Sequence, residues 1–528
     1  MARVHLQEEL VKTSSPVTVE TRFGPVRGGR AANGAAAFLE VPYALPPRRF
    51  QDPEPLPTDY RYKDKDYIYE ASYCAQPNND GQAAGVPFED KVGLGKPSEN
   101  PLFVNIVTPP SFPAQKNFPV KVYIHGGFLQ FGSPHGLSGQ AQYVAAERSE
   151  VWINIGYRLS AFGFLACDEP KIAGNFGFKD QWLAMQWVKE NIASFGGDPT
   201  DIQLSGLSAG AHSVHQLLHH VSRLPEGEVS PFRSAVLQSN AMILPPKDPA
   251  SLRPQFHALC RAVGIDPTAP DALAKLSDPA VVPASTITRV IETDETGPEN
   301  GTFRGCLDGD WLATSPGPME WQRSGQFARA LKARGVRSIV VGDLTEEWYL
   351  YSIAHGDIHS MEEVKSNLHR YYPKDFVDKV MKLWRTIPEG SPPADFMRVF
   401  GEISSTAQVH CPVRILARDL VNAGFPVLRY EIAWTPEQMR QPHGYVTHAT
   451  DRSLWAFRLP VLENDQVAIA RAWLNVMARE VEELEEHGGA KHAAGQVLAL
   501  TRDKQIQWQE DSLWDQHMRM ASALPGER

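Results

Sequence analysis

Apolar positions in the first 245 residues alternate between short β-rich runs and longer helical patterns. "VKVYIHGG" (120–127) reads as a buried strand closed by glycines, and "EVWINIGYRL" (150–159) as a second. "FKDQWLAMQWVKENIASFGG" (178–197) places apolar residues at 182, 183, 185, 187, 188 and 192, a helical spacing that ends at Gly-Gly. "DIQLSG" (201–206) follows as a third strand, "AGAHSVHQLLHHVSRL" (209–224) as a helix and "SAVLQSN" (234–240) as a fourth strand. From about 245 to 335 the chain is rich in Pro, Asp, Thr and Ala and reads as a largely helical insertion. "VRSIVVGD" (336–343) and "FPVLRYEIAW" (425–434) then return to the sheet, and "AREVEELEEHGGAKHAAG" (478–495) is a charged helix end with a solvated face. Strands alternating with helices predict an α/β fold with a large, mostly parallel central sheet flanked by helices. Without an internal repeat or low-complexity linker, 1–528 reads as a single domain, with 245–335 as a helical insertion shaping a pocket.

Composition narrows the partners. The 528 residues are 42% hydrophobic and 22% charged, ordinary for a globular chain, and a net charge of −10 with interspersed signs argues against nucleic acid. The longest apolar stretches, such as "AFGFLA" (161–166) and "SIVVG" (338–342), are strand-sized, so no membrane span is expected. The N-terminus shows no apolar signal region. Five widely spaced cysteines, odd in number, point to free thiols and a cytoplasmic setting. No zinc spacing is present, so neither metal nor cofactor is expected. His215 and His219 lie one helical turn apart, but with no third ligand in view they read as a structural pair. "NGT" (300–302) matches a glycosylation sequon, which carries little weight without a secretory signal. The sequence bears no signal of oligomeric state.

Gly206-Leu207-Ser208-Ala209-Gly210 is the chemically suggestive stretch. A G-x-S-x-G pattern is common by chance, and a glycine-rich turn with an incidental serine is the bland alternative. Here it falls where a predicted strand turns sharply into a predicted helix. Small neighbours are what a strained turn needs to hold a serine hydroxyl above the sheet, with the Ala209 amide at a helix N-terminus. That context favours Ser208 as a nucleophile.

"GNFGFKDQWLAMQWVKENIASFGGDPTDIQLSGLSAGAHSV" (174–214) resembles the central block of the type-B carboxylesterase/lipase family, the cholinesterase-like α/β-hydrolases. "FLEVPYALPPRRF" (38–50), "VKVYIHGGFLQFGS" (120–133) and "INIGYRLSAFGFLA" (153–166) resemble further family blocks, and the likeness runs from about residue 17 to the C-terminal helices. The resemblance implies an α/β-hydrolase fold and a serine hydrolase acting through an acyl-enzyme on a small-molecule ester. It implies an oxyanion hole from the backbone N–H groups of Gly127, Phe128 and Ala209, with Phe128 standing where the family usually has glycine or alanine. The acid follows the strand "SIVVG": five residues after Gly342 is Glu347, with Glu346 as competitor, and Trp348 replaces the glycine that normally follows. The base comes later in the chain. Of His443 and His448, only His448 has an acidic residue, Asp451, three positions on and ahead of "LWAF". Ser239 resembles the serine that hydrogen-bonds the triad acid. Arg158 with Asp180 and Arg49 with Glu99 resemble structural ion pairs of the family.

Departures from the family pattern shape the substrate expectation. The family partner of Cys74 in a first disulfide is Pro101 here, so that bridge is absent. The loop 75–97 has no tryptophan, and Leu207 replaces the glutamate that precedes the serine in cholinesterases, so both anchors for a choline cation are missing. Leu207 and Phe128 are expected at the substrate pocket, and a neutral, short-acyl ester is the expected substrate. Alternatives are a lipase or lactonase of the same class, or a non-catalytic cholinesterase-like binding protein.

Overall fold

The computed structural model describes residues 3–78 and 87–527. Residues 79–86, part of the loop noted above for lacking tryptophan, lie outside the described residues.

Twelve strands form one sheet: β1 (Pro16–Thr21), β2 (Gly24–Arg30), β3 (Ala36–Pro42), β4 (Phe103–Thr108), β5 (Phe118–Ile124), β6 (Val151–Ile155), β7 (Gly197–Leu207), β8 (Ser234–Gln238), β9 (Ser338–Leu344), β10 (Val427–Ile432), β11 (Gln496–Leu500) and β12 (Ile506–Glu510). Their order is β1-β2-β3-β4-β6-β5-β7-β8-β9-β10-β11-β12. The strands from β6 to β11 in that order are parallel, and the outer pairings are antiparallel. Parallel strands need both faces covered, and β8, β9 and β10 are buried at every position. Alternation divides the apolar side chains between two cores: Ile339 and Val341 of β9 join one, Val340 and Leu344 the other.

Helix α1 (Phe176–Asn191) and helix α2 (Ala209–Val221) cover one face, α2 contributing Val214, Leu217, Leu218 and Val221. Five α-helices lie between β8 and β9, at Pro249–Ala262, Ala272–Ser277, Ala284–Glu292, Pro318–Arg323 and Gln326–Ala333. A second helical block, not anticipated, separates β9 from β10: Trp348–Ser352, Met361–His369, Lys374–Met381, Pro393–Ser405 and Cys411–Asn422. Its apolar residues, among them Val364, Phe376, Phe396 and Phe400, pack on Met242 and Ile243 just beyond β8. Met319 of the first block joins the same cluster, which brings the two blocks together beyond the C-terminal end of β8.

The strand expected over 150–159 stops at Ile155, and the apolar stretch after it forms a short helix, Ser160–Phe164. Asp180 on α1 explains the break. Its carboxylate accepts hydrogen bonds from the Arg158 N–H (3.0 Å) and from Nε (2.8 Å) and Nη2 (2.6 Å) of the same residue, pulling the chain out of the sheet. Arg49 pairs with Glu99 at 2.5 Å. Among the described residues, no helix is long and apolar enough to cross a membrane, and no group of three or more His, Cys, Asp or Glu is placed to hold a metal ion.

Candidate active site

Strand β7 ends at Leu207 and α2 begins at Ala209, so the whole reversal falls on Ser208, which adopts φ 59° and ψ −126°. A non-glycine residue held there costs on the order of 1–3 kcal/mol, tolerated only where the surroundings enforce it. Two contacts show the enforcement. The Ser208 N–H donates to Gln238 O of β8 (2.8 Å), and its carbonyl accepts the His212 N–H (2.9 Å). The flanking glycines are required by close approach: a Cβ on Gly206 would lie 2.3 Å from the Gly210 carbonyl carbon, and one on Gly210 2.1 Å from Ile124 O.

The loop after β5 lies against this turn. A Cβ on Gly126 would meet Leu207 O at 2.7 Å and Ser208 Cβ at 2.9 Å. Gly127 has φ 113°, and Phe128 and Leu129 are left-handed at 55° and 65°. Side chains fix the loop at both ends. The Tyr157 hydroxyl donates to His125 O (2.9 Å), His125 Nδ1 bonds Gly126 O (2.9 Å), and Gln130 Nε2 donates to Phe128 O (3.0 Å) and Phe303 O (2.5 Å). Burial pushes the His125 pKa down to about 4, so the ring is neutral near pH 7. The amides of Gly127, Phe128 and Ala209 meet no hydrogen-bond acceptor among the described residues, leaving three donors beside Ser208.

Beyond β9, the two neighbouring glutamates have different partners. Glu347, fully buried, places Oε2 2.6 Å from His448 Nδ1, while its Oε1 accepts the Leu344 N–H at 3.2 Å. Glu346 accepts the Val446 N–H at 2.8 Å through Oε2, and its own N–H donates to Val446 O at 3.0 Å. Thr447 adds a further tie: its Oγ1 accepts the Leu350 N–H at 3.2 Å. A carboxylate oxygen facing Nδ1 suits a proton on that nitrogen, which leaves Nε2 as the bare ring nitrogen. That Nε2 is buried with no hydrogen-bond partner among the described residues, so no bond to Ser208 Oγ is formed here. Tyr351 packs edge-on against the His448 ring at 5.6 Å and against Phe128 at 6.0 Å, linking the histidine to the glycine loop. His443 is exposed and packs on Tyr349 and Tyr445. Asp451 is buried, accepts the Trp455 Nε1–H at 2.8 Å, and has its pKa raised to about 6 by burial and by Glu347.

Three residues stand differently from the sequence expectation. The Ser239 hydroxyl is buried without a partner and makes no bond to Glu347; the acid is held instead by the Leu344 amide. Leu207 is buried beneath Gly126 and does not line the neighbouring cavity, and neither does Phe128. Phe128 turns its ring toward Tyr351 and Tyr371 instead. The cavity, of about 110 Å³, opens one helical turn from Ser208, at His212 and Asn240, and is walled by Lys247, Arg304, Tyr371 and Gln408 among others. His212 follows Ser208 by four residues and was within reach of helical spacing; the other wall residues belong to segments with no distinguishing pattern. His215 is a structural histidine, its Nε2 bonded to Gln322 Oε1 (2.9 Å) and its Nδ1 accepting the Met242 N–H (2.9 Å). All five cysteines are free and buried, Cys74 among them.

The chain is similar to known esterases in sequence and in fold. An uncharacterised esterase/lipase of Schizosaccharomyces pombe is 28% identical over 515 residues, covering 93% of this chain and 92% of its own. The para-nitrobenzyl esterase of Bacillus subtilis is 29% identical over 372 residues, covering 69% of this chain and 70% of its own. A solved PNB esterase structure matches with TM-score 0.73 at 22% identity over 95% of this chain and 99% of that one, which places the fold among the α/β-hydrolases. The model of the carboxylesterase family matches residues 15–481, and the chain belongs to that family.

Proposed function

We propose that the protein is a serine carboxylic-ester hydrolase working through an acyl-enzyme. His448 Nε2 takes the Ser208 proton as Oγ attacks the ester carbonyl, and Glu347 stabilises the imidazolium. The amides of Gly127, Phe128 and Ala209 receive the oxyanion, the imidazolium returns its proton to the leaving alcohol, and water repeats the sequence to release the acid. The observation that carries this reading is the buried Glu347–His448 contact at 2.6 Å, with Nε2 unpartnered and Ser208 strained at a strand-to-helix turn. Catalytic hydrogen bonds are often open before substrate binds, and in this reading the Ser208–His448 bond forms in the substrate complex.

A cavity of about 110 Å³ falls below the roughly 300 Å³ at which pockets begin to hold drug-sized ligands. A cavity of that size favours short acyl groups over long ones. Five buried free thiols support a reducing, cytoplasmic setting. One observation favours the non-catalytic alternative, the missing bond between Ser208 and His448. Hydrolysis of p-nitrophenyl acetate by wild type and Ser208→Ala separates the two: the variant is expected to lose activity by at least a thousandfold, and equal rates would remove the enzyme assignment.

A further inference from the structure

Among the described residues, the cavity that His212 lines, one helical turn from Ser208, carries more cations than carboxylates in a chain whose net charge is −10. Arg304 and Lys247 stand in its wall, and neither forms an ion pair with a carboxylate among the described residues. A third cation, Arg370, is matched by Asp294 at 3.1 Å. The one carboxylate in the wall among the described residues, Glu299, has a side chain 56% exposed and lies 4.0 Å from His369 Nδ1. Arg304 is half-buried, with its guanidinium 5.7 Å from the Tyr371 ring centroid. Tyr371 in turn packs on Phe128 of the glycine loop at 6.4 Å. Burial and the charge of Arg304 hold the His212 pKa well below its usual value, so that ring adds no charge at neutral pH.

A partly desolvated guanidinium without a counter-charge is costly, and its planar donor fork matches a carboxylate. We infer that the part of the substrate entering this cavity carries a negative charge, a carboxylate in the simplest case, bound by Arg304 with Lys247 adding attraction. The inference rests on Ser208 being the nucleophile, since it is the placement one turn away that makes the cavity a substrate subsite. It replaces the expectation of a wholly neutral ester. The missing choline anchors argued against a cation, and the cavity supplies the reason for an anion.

The test uses length-matched ester pairs. Monomethyl glutarate against methyl valerate carries the charge on the acyl side; the acetyl ester of 4-hydroxybutyrate against butyl acetate carries it on the alcohol side. Binding is read by calorimetry on the Ser208→Ala protein, and hydrolysis of the same esters on wild type in a pH-stat. In at least one pair the anionic member should bind tighter and show the higher kcat/KM. Arg304→Gln should abolish that preference, about 10- to 100-fold, through KM, while the neutral member stays within twofold. Arg304→Lys should restore part of it, which a purely structural role for Arg304 would not give. Equal binding within both pairs, or equal loss on both members in Arg304→Gln, would overturn the inference. Charge-selective binding with no turnover by wild type would overturn the hydrolase reading and leave the anion site standing.

Discussion

Replacing Glu347 by glutamine tests the proposed catalytic assembly at its most buried point. The carboxylate has two fixed obligations: Oε1 accepts the Leu344 N–H and Oε2 meets His448 Nδ1. A glutamine has one oxygen, and the Leu344 amide, itself a donor, claims it. The side-chain NH₂ then faces Nδ1, which must become an acceptor, so the imidazole proton moves to Nε2 and the base is lost. The charge goes as well. With charge centres about 4 Å apart and an effective dielectric near 20, the imidazolium loses about 4 kcal/mol of stabilisation, roughly a thousandfold in rate. Tautomer loss extends this toward the roughly 10⁴-fold seen when a triad acid is made an amide. The assay is kcat on p-nitrophenyl acetate, with thermal melts to verify folding. Glu346→Gln is the control: its amide oxygen still accepts the Val446 N–H, and activity should stay within about threefold, a change worth well under 1 kcal/mol. A Glu347→Gln enzyme retaining a tenth of wild-type kcat would refute the assignment of the acid, as would an equal fall in Glu346→Gln.

Two further outcomes concern stability. Glu431, 9% exposed, has its pKa raised to about 7 by burial and by the charges of Asp343 and Asp511. A carboxyl raised in the folded state is harmless below its unfolded pKa near 4.5 and costs stability as pH climbs through 7, by about 3 kcal/mol when fully ionised. Glu431→Gln should therefore raise the urea midpoint at pH 8 and leave it nearly unchanged at pH 4.5; an equal gain at both would show that ionisation is not the cause. Asp180→Asn strips the counter-charge from Arg158, itself 2% exposed, and should cost about 3–5 kcal/mol by chemical denaturation. A loss under 1 kcal/mol would mean that the pair is not desolvated as described.

What the sequence disclosed follows from how local each signal is. Strand β9 is readable from the apolar run Ile339–Val341 and β8 from Ala235–Leu237, whereas β5, β7 and β10 are readable from apolar residues recurring at every second position, such as Val120, Val122 and Ile124. Strand β6 reads too long because the resemblance pairs Arg158 with Asp180, 22 residues later, but nothing in "GYRL" shows that this pairing takes the chain out of the sheet. The helical block between β9 and β10 went unread although Phe396, Val399, Phe400 and Ile403 repeat at helical spacing. Around Ser208 the glycines, the strand and the helix are contiguous, so the turn was legible. Glu347 and His448, 101 residues apart, were reached only through a resemblance. The charge of the cavity was beyond either route: Lys247, Arg304 and Arg370 come from separate segments, and only folding makes them neighbours.

The cross-lacing of Glu346 with Val446, and of Leu350 with Thr447, bears on when the protein begins to work. A ribosome delivers residues 346 and 347 about a hundred codons before 446 to 448. Until that later stretch is laid beside the earlier one, the imidazole has neither anchor nor orientation, however well the serine turn has already formed. Under the proposed mechanism, a nascent chain that has not yet presented residues 446 to 448 lacks its base and is chemically mute.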